Sequence, residues 1–194
     1  MSREIVLDIE TQNIFADVNN DIRGLKVSVV CLYDYATDTF QSFREDELKN
    51  MWPLLEQADR IIGYNSIFFD IPVLNNYYAG DLLKLPQLDM LVEIKKNLGT
   101  RLKLNDVAKA TLKIEKSGEG LQAVQWFKEG NWDDLIKYCM DDVKITRDVY
   151  EFGKKNKQLF YNDILTGQLR PFPVNFEMPA ASTTPVNVNL SLPF

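Results

Sequence analysis

The chain has 194 residues, of which 45% are hydrophobic and 26% charged, with a formal net charge of −6. That composition suits one sizeable core plus an appendage, and the negative charge argues against a protein that coats duplex DNA by bulk electrostatics. With no histidine and only two cysteines, Ser-His-Asp triads, Cys-His dyads and His-ligated zinc are excluded, so any metal must be hard and oxygen-bound, Mg²⁺ or Mn²⁺.

Residues 4–10 (EIVLDIE) are short, apolar and β-branched, the pattern of a buried strand. Residues 25–33 give a second strand and 39–43 a third, with 33–39, carrying Asp34 and Asp38, as the hairpin turn between them. Residues 45–57 follow as a helix with Leu48, Met51, Leu54 and Leu55 on one face. A fourth strand over 60–64 is closed by Asn65-Ser66, and a helix over 70–78 is entered through Ile71-Pro72, since proline is tolerated in a first turn. Residues 104–112 and 133–154 read as further helices, with Asn131 in the cap region of the second. This order predicts an α/β domain with a mixed sheet. The composition changes near Gly167. Residues 171–194 hold five of the eight prolines and one charged side chain, Glu177. The expected division is a domain over 1–166 and a proline-rich tail over 167–194.

Three short elements carry candidate chemistry. Asp8 and Glu10 are two apart on a strand and project from the same face, so both can reach one divalent ion while Ile9 points the other way. Asp70 opens a helix among aromatics after the turn Gly63-Tyr64-Asn65-Ser66; taken singly it also reads as a helix cap, and Asn65 as a turn residue. Tyr138 and Asp142 are one helical turn apart on one face; singly they also read as a half-buried core aromatic and a solvated acid. A basic stretch supplies the candidate phosphate contacts. Lys95, Lys96, Arg101, Lys103, Lys109, Lys113 and Lys116 stand there against only Asp106 and Glu115, although a solvated helix face explains them equally well.

Taken together and in this order, the elements resemble the DEDDy branch of the DnaQ-like 3′→5′ exonucleases, and among them the proofreading domain of family B DNA polymerases. Asp8, Glu10 and Thr11 resemble the motif Asp-x-Glu-Thr. Gly63, Tyr64, Asn65, Phe69 and Asp70 resemble its Gly-Tyr-Asn-(x)-Phe-Asp, and Tyr138 with Asp142 its Tyr-x-x-x-Asp. Leu104-Asn105-Asp106-Val107-Ala108 is similar to the family's Leu-x-x-Val-Ala helix. The resemblance covers about residues 4–152. The related branch with histidine five residues before the last aspartate is excluded, because that position is Lys137.

The resemblance implies a ribonuclease H-like fold, a mixed five-stranded sheet flanked by helices. It also implies two Mg²⁺ or Mn²⁺ ions held by Asp8, Glu10, Asp70 and Asp142, with Tyr138 orienting the attacking water. A phenol that titrates at roughly 10 is a poor general base. Ile9, Thr11, Asn65, Phe68 and Phe69 would contact the terminal nucleotide of a single-stranded 3′ end, releasing nucleoside 5′-monophosphates, from DNA in preference to RNA. The rival readings are a non-catalytic nucleic-acid-binding module of the same fold and a ribonuclease H-like endonuclease. The C-terminal Asn189-Leu190-Ser191-Leu192-Pro193-Phe194 is similar to the short peptides that dock on the bacterial sliding clamp, with Asn189 where that pattern has glutamine; a frayed end or an added strand are the other readings. No apolar run reaches the roughly 20 residues that span a bilayer, no secretory signal opens the chain, and the scarcity of cysteine fits the cytoplasm.

Overall fold

The computed structural model describes residues 3–114, 120–163 and 165–178. The apolar N-terminal run forms β1 (Glu4–Thr11), which lies at the centre of a mixed sheet. It pairs antiparallel with β2 (Val27–Asp34) on one side and parallel with β4 (Arg60–Gly63) on the other. The hairpin partner β3 (Thr39–Arg44) extends the first side and β5 (Gln87–Asp89) the second, giving the order β3-β2-β1-β4-β5.

Helices cover both faces, which is why β2 is buried at all eight positions rather than alternating. On one face Ile5, Leu7, Val30 and Leu32 meet α1 (Leu48–Glu56) and α2 (Asp70–Leu74). On the other, Val6, Val29, Cys31 and Ile62 meet α3 (Met90–Leu98), α4 (Leu104–Leu112), α5 (Gly120–Glu129) and α6 (Trp132–Asn156). The Asn131 side chain caps α6 by accepting from Asp134 N, as the sequence leads one to expect.

Three departures from the sequence reading have physical causes. The helix expected over 70–78 stops at Leu74. The Asn75 side chain accepts from Leu82 N at 2.9 Å and donates to Asp81 at 3.3 Å, a local alternative to continuing the helix. The span 79–103, unassigned by pattern, holds β5 and α3; the Asp89 side chain caps α3 by accepting from Leu91 N and Val92 N. Most important, the boundary at 167 is corrected. After α6 the chain forms a two-stranded hairpin of β6 (Gln158–Asn162) and β7 (Leu169–Pro173). Phe160 N donates to Thr111 Oγ1 of α4 at 3.1 Å, and Leu159, Phe172, Val174 and Phe176 are buried. The expected tail therefore belongs to the domain as far as Phe176. Residues 189–194, read above as a docking peptide, lie outside the described residues.

A buried cation holds that last segment down. Arg60, at the start of β4, is 2% exposed. Its guanidinium donates to Glu4 at 3.0 Å, to the Tyr150 hydroxyl at 2.7 Å, and to the carbonyls of Phe176 and Glu177 at 2.9 and 3.1 Å. Lys154 adds a second cation on Glu4 at 2.9 Å. Burial alone would raise the Glu4 pKa, but the hydrogen bonds from Lys154, Arg60 and Tyr150 outweigh it and hold Glu4 below its ordinary value. Gly153 makes room for this closure, because a Cβ there would lie 2.4 Å from the Phe176 ring. Among the described residues no helix is long and apolar enough to cross a membrane.

Candidate metal centre and cleft

The ends of the parallel strands β1 and β4 point the same way, so the loops that follow them meet. On β1 the alternation places Asp8 and Glu10 on the face shared with Val6, toward α6, while Ile9 packs into the opposite core. The register against β2 shifts between Glu10 and Thr11, a bulge of the kind that redirects side chains at the rim of a sheet. The long helix α6 crosses this strand end and supplies Tyr138 and Asp142, which are 3% and 4% exposed. Carboxylate oxygens of Asp8, Glu10 and Asp142 all lie within 4.8 Å of one another. Three hard oxygen donors at that separation could hold a divalent cation.

Two neighbours hold the cluster in place. Cys139, between the two α6 residues, donates its thiol to the Asp8 carbonyl at 3.4 Å. Burial first, and then Cys31 and the charges of Asp8 and Glu10, keep its pKa well above that of an ordinary thiol, so it remains a donor. Trp126 of α5 packs edge-on to Tyr138 with centroids 5.7 Å apart.

Asp70 reaches the same cleft from the first residue of α2. Its Oδ1 accepts from the Ile9 backbone N–H of β1 at 3.2 Å, so the residue that could be read as a cap ties α2 to β1. Burial, with added repulsion from Asp89 and Asp142, pushes its pKa up to about 7, against the hydrogen bonds from its own and the Ile9 backbone. The sign follows: between about 4 and about 7 the folded protein binds a proton here that the unfolded chain has released, so stability is lost as pH rises through that window. We expect the melting temperature of metal-free protein to fall across that rise in pH. Mg²⁺ should reduce the fall and Asp70→Asn should flatten it. An unchanged slope in the Asn variant would show that another group is responsible.

The turn after β4 is shaped by close approach. A Cβ on Gly63 would sit 2.5 Å from that of Ser66, and Asn65 takes a left-handed φ of 66°. Asp89 secures the turn from below, accepting from Asn65 N at 2.8 Å and Ile67 N at 3.1 Å. Sequence reasoning passed over Asp89, although an aspartate just ahead of an apolar helix carries the signature of a cap. Tyr64 donates to the Leu102 carbonyl at 2.8 Å, and Arg101 donates to Asn65 Oδ1 at 2.7 Å. Both bonds draw the segment before α4 over the turn.

These elements enclose a cleft of about 840 Å³, within the range of roughly 300–1,000 Å³ typical of ligand sites. Asp8, Glu10, Asp70, Tyr138 and Asp142 all line it, as do Ile9, Thr11, Asn65 and Phe69. Phe68 does not; it is 64% exposed outside the lining, because the turn at 65–69 gives Phe69 the inward position. The lining also includes Phe15 and Val124, which no sequence signal announces, and Lys103 of the basic stretch.

The family model for the RNase_H superfamily matches residues 5–152. In fold the chain is similar to the family B DNA polymerase of the hyperthermophilic archaeon Pyrobaculum calidifontis, with a TM-score of 0.61 and 15% identity over 79% of this chain and 24% of the polymerase. It is also similar to RNase D of Trypanosoma brucei, with a TM-score of 0.57 and 18% identity over 78% of this chain and 57% of that one. The chain therefore spans about a quarter of the polymerase and somewhat over half of the RNase D, and at these identities the likeness is one of fold. No curated protein matches it in sequence.

Proposed function

The chain belongs to the RNase H superfamily and has a ribonuclease H-like mixed five-stranded sheet, and from that premise we propose that it is a metal-dependent 3′→5′ exonuclease acting on single-stranded nucleic acid ends, DNA in preference to RNA. Membership in this superfamily supports hydrolytic nuclease activity. The observation that carries the finer reading is the convergence in one cleft of four carboxylates with a tyrosine one helical turn before the last of them. The donor set fits divalent ions. Asp8, Glu10 and Asp142 cluster within 4.8 Å, Asp70 lines the same cleft, and Lys103 is the one cation among the described lining residues.

Asp8, Glu10 and Asp142, with Asp70 beside them, would hold Mg²⁺ or Mn²⁺, whose part in such chemistry is to activate water and stabilise the leaving 3′-oxygen. Tyr138, fixed by α6 and by Trp126, presents its hydroxyl beside the carboxylates and orients the attacking water. Ile9, Thr11, Asn65 and Phe69 seat the terminal nucleotide. The product is a nucleoside 5′-monophosphate. In the same reading the protein works in the cytoplasm, and the peptide ending at Phe194 recruits it to a bacterial sliding clamp, a proposal supported by the sequence of that peptide.

The test is digestion of 5′-labelled single-stranded DNA and RNA with Mg²⁺ or Mn²⁺, alongside the same strands blocked at the 3′ end. A ladder shortening from the 3′ end, absent on the blocked strand and faster on DNA, is the expected result. Cleavage of the blocked strand would identify an endonuclease instead. Binding without cleavage under both metals would identify a non-catalytic module.

A further inference from the structure

A protein of net charge −6 whose cleft holds four carboxylates must still attract a polyanion. Two cations are placed to do so. Lys103 lines the cleft and is exposed. Arg101, also exposed, lies against it through Asn65, and the Tyr64 hydroxyl pins the intervening Leu102 carbonyl at 2.8 Å. Among the described residues neither cation is paired with a carboxylate. A guanidinium offers donors only, so Arg101 must take the Asn65 oxygen and leaves the Asn65 amide nitrogen to donate elsewhere. The lip formed by these three residues thus presents donors and positive charge. Phe15 is a lining residue of opposite character. It packs on Phe69 at 5.9 Å yet stays 39% exposed at the rim, leaving ring surface for a planar partner.

We infer that the cleft divides a single strand between these two groups, the Arg101–Asn65–Lys103 lip taking backbone phosphates and Phe15 stacking a base. This rests on the nucleic-acid reading above; it selects Arg101 and Lys103 from the basic stretch by their place at the cleft and adds Phe15, which no sequence signal marks. Single strands are held elsewhere by the same pairing of a positive track with aromatic platforms.

The experiment measures equilibrium binding of a fluorescently labelled single-stranded DNA oligonucleotide to the full chain in Ca²⁺, across a salt series. Each phosphate contact on a single strand contributes a slope of roughly −0.7 to log K against log salt. Arg101→Ala and Lys103→Ala should each flatten the slope by about that amount, and the double variant by about twice as much. Phe15→Ala should weaken binding roughly tenfold with the slope unchanged, and should lose that effect on a strand with abasic 3′-terminal positions. All three side chains are exposed, so folding is not at stake. If wild-type protein binds and the slopes of the two cation variants match its own, the phosphate lip is wrong. If Phe15→Ala binds abasic and normal strands equally less well, the base shelf is wrong. Failure of wild-type protein to bind any strand would instead overturn the nucleic-acid reading and this inference with it.

Discussion

Alanine at Asp8 or Asp142 is expected to reduce nuclease turnover by at least about a thousandfold, which corresponds to the several kcal/mol that a bound metal contributes to the transition state. The fold should survive unchanged or gain slightly in stability. Three carboxylates held within 4.8 Å of one another repel when no ion is present, and removing one relieves that repulsion. The informative comparison pairs turnover with thermal unfolding in EDTA. Activity lost together with stability would point to a damaged core. Activity lost with stability kept would locate the defect in the site. Either variant retaining more than about a tenth of wild-type turnover is incompatible with the ligand assignment. Tyr138→Phe should behave differently, slowing turnover by roughly ten- to a thousandfold with little change in substrate affinity, because a group that only orients water acts in the chemical step alone.

The second large effect concerns stability. Arg60→Ala should destabilise the protein by about 3–5 kcal/mol, the usual cost of deleting one partner of a buried ion pair. The loss has three parts in one place: Glu4 keeps a buried charge, the Tyr150 hydroxyl loses an acceptor-side partner, and the carbonyls of Phe176 and Glu177 lose their donor. Urea unfolding monitored by circular dichroism would read it directly. Removing both charges with Glu4→Gln and Arg60→Met should recover part of the loss, since a neutral pair carries a smaller desolvation penalty than an unpaired buried charge. A shift below about 1 kcal/mol in the single variant would mean that water already reaches the guanidinium.

The distribution of what could be read in advance follows from interaction range. The strand pattern of β1, the amphipathic period of α1 and the cap of α6 are local, and they stand where periodicity puts them. The pairs Asp8 with Glu10 and Tyr138 with Asp142 are also local, each set by one period of its element. That they meet depends on α6 crossing β1, a contact over some 130 residues that no spacing encodes; the family resemblance anticipated it. Short or mixed signals were lost. β5 has three residues, too few to alternate. β7 carries Pro171 and Pro173 and so reads as a linker, although proline is tolerated in an edge strand, which β7 is among the described residues. Arg101 meets Asn65 across 36 positions, and nothing in either neighbourhood announces it. Phe68 and Phe69 are adjacent and alike in type; only the backbone of the turn decides which one faces the cleft.

The closure around Arg60 also orders events during synthesis. Glu4 and Arg60 leave the ribosome more than a hundred residues ahead of 176 and 177, whose carbonyls complete the guanidinium's shell. Domains generally fold as units, and here the central sheet cannot seal its own cation until almost the entire described chain has emerged. A ribosome-bound chain halted before β7 would hold that charge half-solvated, with the apolar bed for Phe176 on α6 uncovered. Emergence of residues 169–177 is therefore a folding step, and the growing chain remains open to chaperones and proteases until it is made.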